Sequence, residues 1–269
     1  MKRFSGLAIF DLLLVVLLIV IYFVLHTFLE SDIYWIVQII SYTIFGALII
    51  VSIILNSKKK KNNYNSIMTD LEPERVMDYM LKHNFMYSQY ERENIQVLAY
   101  RLMEKFDLAL DILLKEKRDI IDCNYAEKFL HLSNLCSCYI GVKNQEQALQ
   151  QLNVAKDLMK NVKSNSSTAY SLFFLDLMEH LYCATFDDSY SDYEYFERLL
   201  NPNMKIAPPT FYSNINILYT HYTLATIYLR LGMIDRANAN FKYVADNGKN
   251  LPKAIRARDY LVNGVTEGL

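Results

Sequence analysis

Two runs of almost unbroken apolar residues open the chain, and the text after them repeats at helical spacing. Residues 7–29 and 33–55 are each 23 positions long. As helices they extend roughly 34 Å, against about 30 Å for a bilayer core. Only Glu30, Ser31 and Asp32 separate them, which predicts an antiparallel transmembrane hairpin that satisfies its own backbone hydrogen bonds in lipid. Lys2 and Arg3 precede the first run, and Lys58, Lys59, Lys60 and Lys61 follow the second; the turn carries only acids. The positive-inside rule then predicts a multi-pass protein of the plasma (inner) membrane with both termini cytoplasmic. The four lysines are read as a topology determinant that also meets anionic head groups at the membrane surface. A cleaved signal peptide is disfavoured, because the apolar region is too long, lacks a small-x-small site and runs into a second span. Asp11 reads as a carboxylate snorkelling to the surface, and Tyr34 with Trp35 as an interfacial anchor.

Residues 56–69 form a basic, polar linker, and residues 70–269 a second region. From Glu72-Pro73 onward the apolar spacing predicts helices over 72–84, 88–103, 106–118, 125–141, 145–161, 167–184, 191–200, 210–231, 234–247 and 252–262. The segment 201–209, with Pro202, Pro208 and Pro209, is the clearest break. Near the end, Leu224, Ala225, Tyr228 and Leu231 recur on one face, and Ala237, Phe241 and Val244 on the next. Between them Gly232 permits a tight turn and Asp235 is placed to cap the following helix. Gly248 marks that helix's end, and Pro252 the start of the last one.

Composition agrees. Glycine and proline number only 7 and 5 in the chain, as long helices with short connections require. Residues 65–269 hold 22 basic and 26 acidic residues, a balance of −4 that is no nucleic-acid footprint. Cys123, Cys136, Cys138 and Cys183 make no CxxC pair and read as reduced thiols of a cytosolic region. Cys136 and Cys138 point to different sides of one helix. The lysine- and asparagine-rich text suits a bacterial protein.

The last helix pair resembles a tetratricopeptide repeat. Leu224, Ala225, Tyr228, Gly232, Ala237 and Phe241 stand at the offsets of that family's helix hairpin. Leu135, Cys136, Tyr139, Ala148, Leu152 and Ala155 match in the same frame, with Lys143 in place of the turn glycine. Tyr100, Phe106, Ala109 and Leu113 give a third, looser match, in which Gln96 and Val97 depart from the aliphatic-small pair. Ala109 to Ala148 is 39 positions and Ala148 to Ala237 is 89, so the array is irregular. The resemblance implies an all-α fold, a membrane hairpin followed by a tetratricopeptide-like solenoid of antiparallel helix pairs, with 252–262 as a solvating cap. A plain helical bundle is the alternative. The family's groove-facing places fall on Tyr222, Thr226 and Arg230, and in the looser unit on Asn94 and Arg101. These are the candidate residues for a protein or peptide partner.

Chemistry is sparse. His26, His83, His131, His180 and His221 form no HExxH, and no Walker loop, GxGxxG or GxSxG elbow occurs. No cofactor, metal or catalytic residue is expected. Two other surfaces stand out. Phe186 to Phe196 interleaves Asp187, Asp188, Asp192 and Glu194 with Tyr190, Tyr193 and Tyr195, and the chain from Tyr228 onward is basic by +3. Each reads first as an ordinary solvated face, and their opposed charges offer a route to self-association into a homo-oligomer. The resulting expectation is a noncatalytic adaptor or scaffold at the membrane. A docking component of a transport or export system is the alternative, and an enzyme subunit a more distant one.

Overall fold

The computed structural model describes residues 69–83, 87–115, 124–160, 162, 166–204 and 206–264, with scattered positions from 42 to 67. The chain divides into two compact units, Met1–Asn63 with Lys82–Met86 and Tyr64–Leu81 with Tyr87–Leu269. In the first, the span 7–29 lies outside the described residues and 33–55 is described only in part. There, Tyr42, Ile44, Ile50, Val51, Ile54 and Leu55 are helical and between 51% and 62% exposed. Among the described residues no helix is long and apolar enough to cross a membrane.

The second unit is all-α. Its helices are α1 (Pro73–Lys82), α2 (Gln89–Leu102), α3 (Phe106–Lys115), α4 (Tyr125–Gly141), α5 (Gln145–Lys160), α6 (Ser166–Phe186), α7 (Tyr193–Leu200), α8 (Asn214–Arg230), α9 (Ile234–Asn247) and α10 (Pro252–Asn263). Each predicted span holds one of them. The largest offset is at 210, where Pro209 opens a 3-10 turn (Pro209–Phe211) and α8 starts only after Ser213. Polar caps fix several starts. The Ser88 hydroxyl accepts from the Glu91 amide at 3.2 Å while the Glu91 carboxylate accepts from the Ser88 amide at 2.7 Å. Asn124 and Asp192 cap α4 and α7 in the same one-way sense. Asp235 does not cap α9: Met233 holds that position, and Asp235 lies in the first turn, where its charge favours the helix dipole.

Packing runs mainly between chain neighbours, α2 on α3, α3 on α4, α4 on α5, α8 on α9 and α9 on α10. Connections of three or four residues, as between α2 and α3, α4 and α5, α8 and α9, and α9 and α10, favour antiparallel neighbours. Helix α4 is shared between two cores. Leu135 and Cys138 join Val97, Ala109 and Leu113, whereas Phe129, Leu132 and Cys136 join Leu152, Ala155, Met159 and Met178. Burial raises the Cys136 thiol to about 11, so it is an inert packing group.

One turn recurs three times. The amides of Met103, Val142 and Leu231 donate to Ala99, Cys138 and Ile227. Two residues later, those of Lys105, Asn144 and Met233 donate to Tyr100, Tyr139 and Tyr228 at 2.8, 2.9 and 2.8 Å. The residue between is left-handed each time: Glu104 (φ 55°), Lys143 (56°) and Gly232 (71°). Five residues further, Ala109, Ala148 and Ala237 are fully buried, as is Phe241, and Leu113 and Leu152 are nearly so. The hairpin around α2 and α3 thus shares the geometry of the others despite Gln96 and Val97. A side chain in the left-handed region costs about 1 kcal/mol or more relative to glycine. Lys143→Gly should therefore stabilise the unit by about 1 kcal/mol, partly offset by a freer unfolded chain, read as a rise in urea midpoint at constant slope.

Gly248 ends α9 as its C-cap, as expected. Its φ is −87°, and the left-handed residue is the next one, Lys249 (φ 49°). Space requires the glycine: an added Cβ would lie 2.5 Å from the Ala254 Cβ and 2.8 Å from the Val244 carbonyl oxygen. Helix α10 is not a purely polar cap, since Ile255, Leu261 and Val262 are exposed, the last by 80%.

Candidate partner-binding surface

Three segments distant in sequence meet at one cluster of charge and aromatic rings. Helix α8 supplies Tyr219 and Tyr222, three positions apart and so on one face. Helix α10 begins at Pro252, a proline in the first turn, which sets Lys253 and Arg256 on a matching pair of positions. The turn between α2 and α3 supplies Glu104 from its left-handed backbone position.

Arg256 grips both Glu104 oxygens, Nη1 to Oε2 and Nη2 to Oε1, each at 2.5 Å. Its Nε donates to the Tyr222 hydroxyl at 3.0 Å. Lys253 Nζ stands 3.5 Å from Glu104 Oε1 and 4.2 Å from the centre of the Tyr222 ring. The fork matches the planar carboxylate, and the ring face attracts the ammonium. The Tyr219 hydroxyl donates to the Leu102 carbonyl at 3.5 Å. Arg101, one turn before Glu104, donates from Nη1 to Asn134 Oδ1 at 2.6 Å. The side chains of Glu104, Lys253 and Arg256 are 17%, 24% and 26% exposed, so the cluster is shielded yet reachable.

The electrostatics follow. Burial pushes the Glu104 carboxyl up, but Arg256 and Lys253 outweigh it and hold the group below its usual range. Burial lowers Lys253, with Glu104 opposing. Burial raises Tyr222, while the Arg256 hydrogen bond lowers it. A carboxyl held low in the folded state stabilises above its unfolded pKa, and that contribution is lost as pH falls through the folded value. Stability should therefore drop below the ordinary carboxyl value of 4.5. In Glu104→Gln that acid limb should be shallower, as urea midpoints across the acid range would show.

Tyr222 and Arg101, two of the five expected groove residues, lie at this cluster. Tyr222 is 5% exposed and engaged by Arg256. Thr226, one turn on, is half-buried and donates to the Thr223 carbonyl at 2.8 Å. Arg230 is a strap, donating to the carbonyls of Ala184 and Tyr190 at 3.1 Å each. Asn94 is half-buried on α2. Of the lysine run, Lys58 is exposed and helical, and Lys59, Lys60 and Lys61 lie outside the described residues. No motif in the sequence marks Glu104 or Tyr219, and Lys253 and Arg256 are two of the basic residues that follow Tyr228. The one clue was a carboxylate standing where the related hairpin carries glycine.

The acidic, aromatic stretch turns partly inward. The His180 ring stacks on Tyr195 at 3.5 Å, and its Nδ1 lies 2.7 Å from the Tyr190 hydroxyl. Asp176 and Asp192 each stand 3.9 Å from its ring nitrogens. His180 thus pins the connection between α6 and α7, with Arg230 holding its other side. Among the described residues no group of three or more potential ligands could hold a metal ion. Compared with family models, curated proteins and solved structures, the chain matches none, and its functional reading rests on its own residues.

Proposed function

We propose that this protein is a membrane-anchored adaptor that holds a partner protein or peptide on a cytoplasmic, tetratricopeptide-like helical array. The observation that carries this reading is the recurrence of one hairpin, with the same turn hydrogen bonds, the same left-handed residue and the same buried alanine, at residues 104, 143 and 232. Stacked hairpins of that kind present side chains of successive first helices along one surface, a format suited to an extended segment. The anchor is supported by the two 23-residue apolar runs and by the exposed aliphatic side chains at 44–55, which a bilayer would cover. The lysines at 58–61 favour the cytoplasmic side.

The test is cross-linking of the full chain in its own cells, with identification of what co-purifies. Tyr222 and Arg230 hold the fold, so the informative variants are Asn94→Arg and Thr226→Arg, which alter half-buried first-helix positions. Loss of the partner from these variants, with helical content unchanged by circular dichroism, supports binding by the array. A partner kept by the variants but lost on deletion of residues 1–57 moves the contact to the hairpin, and the transport-component reading replaces this one.

A further inference from the structure

We propose that Glu104 is a built-in occupant of the Tyr222–Lys253–Arg256 surface, a latch from the α2–α3 turn that an acidic segment of the partner displaces. The turn and α10 meet although Glu104 and Arg256 stand 152 positions apart in the sequence. The extensive helix packing runs elsewhere, between chain neighbours. The contacts that join the turn to α8 and α10 include three polar ones: the fork of Arg256, the ammonium of Lys253 and the Tyr219 hydroxyl on the Leu102 carbonyl. Charged contacts of that kind are open to competition from a group of the same chemistry.

The charge count says which chemistry competes. Two cations, Lys253 and Arg256, share one carboxylate, and Arg101 adds a third positive charge whose hydrogen-bond partner, Asn134, is neutral. The surface therefore favours further negative charge, and the Tyr219 and Tyr222 rings flank it as rigid walls 5.2 and 4.2 Å from Lys253 Nζ. Glu104 reaches the surface from a left-handed backbone position that disfavours any side chain, while the matching turn at 232 uses glycine. Two further links, Lys249 with Glu72 at 2.9 Å and Asn214 Nδ2 to the Thr69 carbonyl at 2.8 Å, are exposed. They tie residues 69–72 to the segments around Lys249 and Asn214, and neither involves the turn at 104.

The identity of the displacing segment rests on the partner-binding reading; the latch itself does not. The experiment uses the full chain in lipid nanodiscs, with Cys123 and Cys183 replaced by serine and spin labels on Asp107→Cys and Asp259→Cys. Distances are measured alone and with excess tetraglutamate peptide, tetraglutamine serving as control. The latch predicts that tetraglutamate, and not tetraglutamine, lengthens the distance in the otherwise unchanged chain. Glu104→Gln and Arg256→Gln should lengthen it without peptide. Glu104→Gln, freed of its internal competitor, should bind tetraglutamate about tenfold tighter. An unmoved distance with saturating tetraglutamate overturns the proposal whatever the variants do. So does equal binding of the two peptides. Neither result bears on whether a cellular partner cross-links to the array.

Discussion

Phe241→Ala should destabilise the helical unit by about 3–5 kcal/mol, the range for emptying an aromatic site in a packed core. Phe241 is fully buried on α9. Its ring meets Tyr222 of α8 edge-on at 5.8 Å and lies tilted against Tyr260 of α10 at 4.6 Å. Truncation therefore removes a contact shared by three helices, and neighbouring backbone cannot collapse into the gap without moving all of them. The loss should appear as a fall in urea midpoint. Because Tyr222 also carries Arg256, the variant should loosen the Glu104 cluster too, which Phe241→Leu, keeping most of the volume, should largely spare.

Gly248→Ala should cost about 1–3 kcal/mol, the penalty for overfilling a close contact. The added methyl would stand 2.5 Å from the Ala254 Cβ, so α9 and α10 must separate. Part of the loss should return in Gly248→Ala with Ala254→Gly, since the second change removes that clash. The Val244 carbonyl, 2.8 Å from the same methyl, is backbone and limits the recovery. A double-mutant cycle gives the coupling directly. Additive effects of the two substitutions would contradict this account of the α9–α10 approach.

Helices were the most legible part of this chain, because each spans several turns of apolar periodicity with few glycines or prolines to interrupt it. The two-sided role of α4 was legible as well, since Cys136 and Cys138 cannot share a helix face. The turns were legible only where glycine marked them. Glu104 and Lys143 adopt the same left-handed conformation as Gly232, and nothing local in a glutamate or lysine announces it. Gly248 marked the end of α9, but there the constraint on glycine is space, and the left-handed residue is Lys249. The site was less legible than the fold. Spacing places Tyr222 and Arg230 on a helix face, but whether a face is open depends on what distant segments bring to it. Arg230 is engaged by the α6–α7 connection and Tyr222 by α10. The Glu104–Arg256 pair joins side chains 152 positions apart, beyond any periodic pattern.

The anchored, inward-facing array is the claim on which the functional reading depends, and its most direct test is the fate of the full chain in native membranes. After alkaline carbonate washing the protein should remain in the membrane pellet. Protease should spare it in intact cells yet digest residues 70–269 once the cytoplasmic face is exposed in inverted vesicles. Release by carbonate, or cleavage of the array from outside intact cells, would contradict the account.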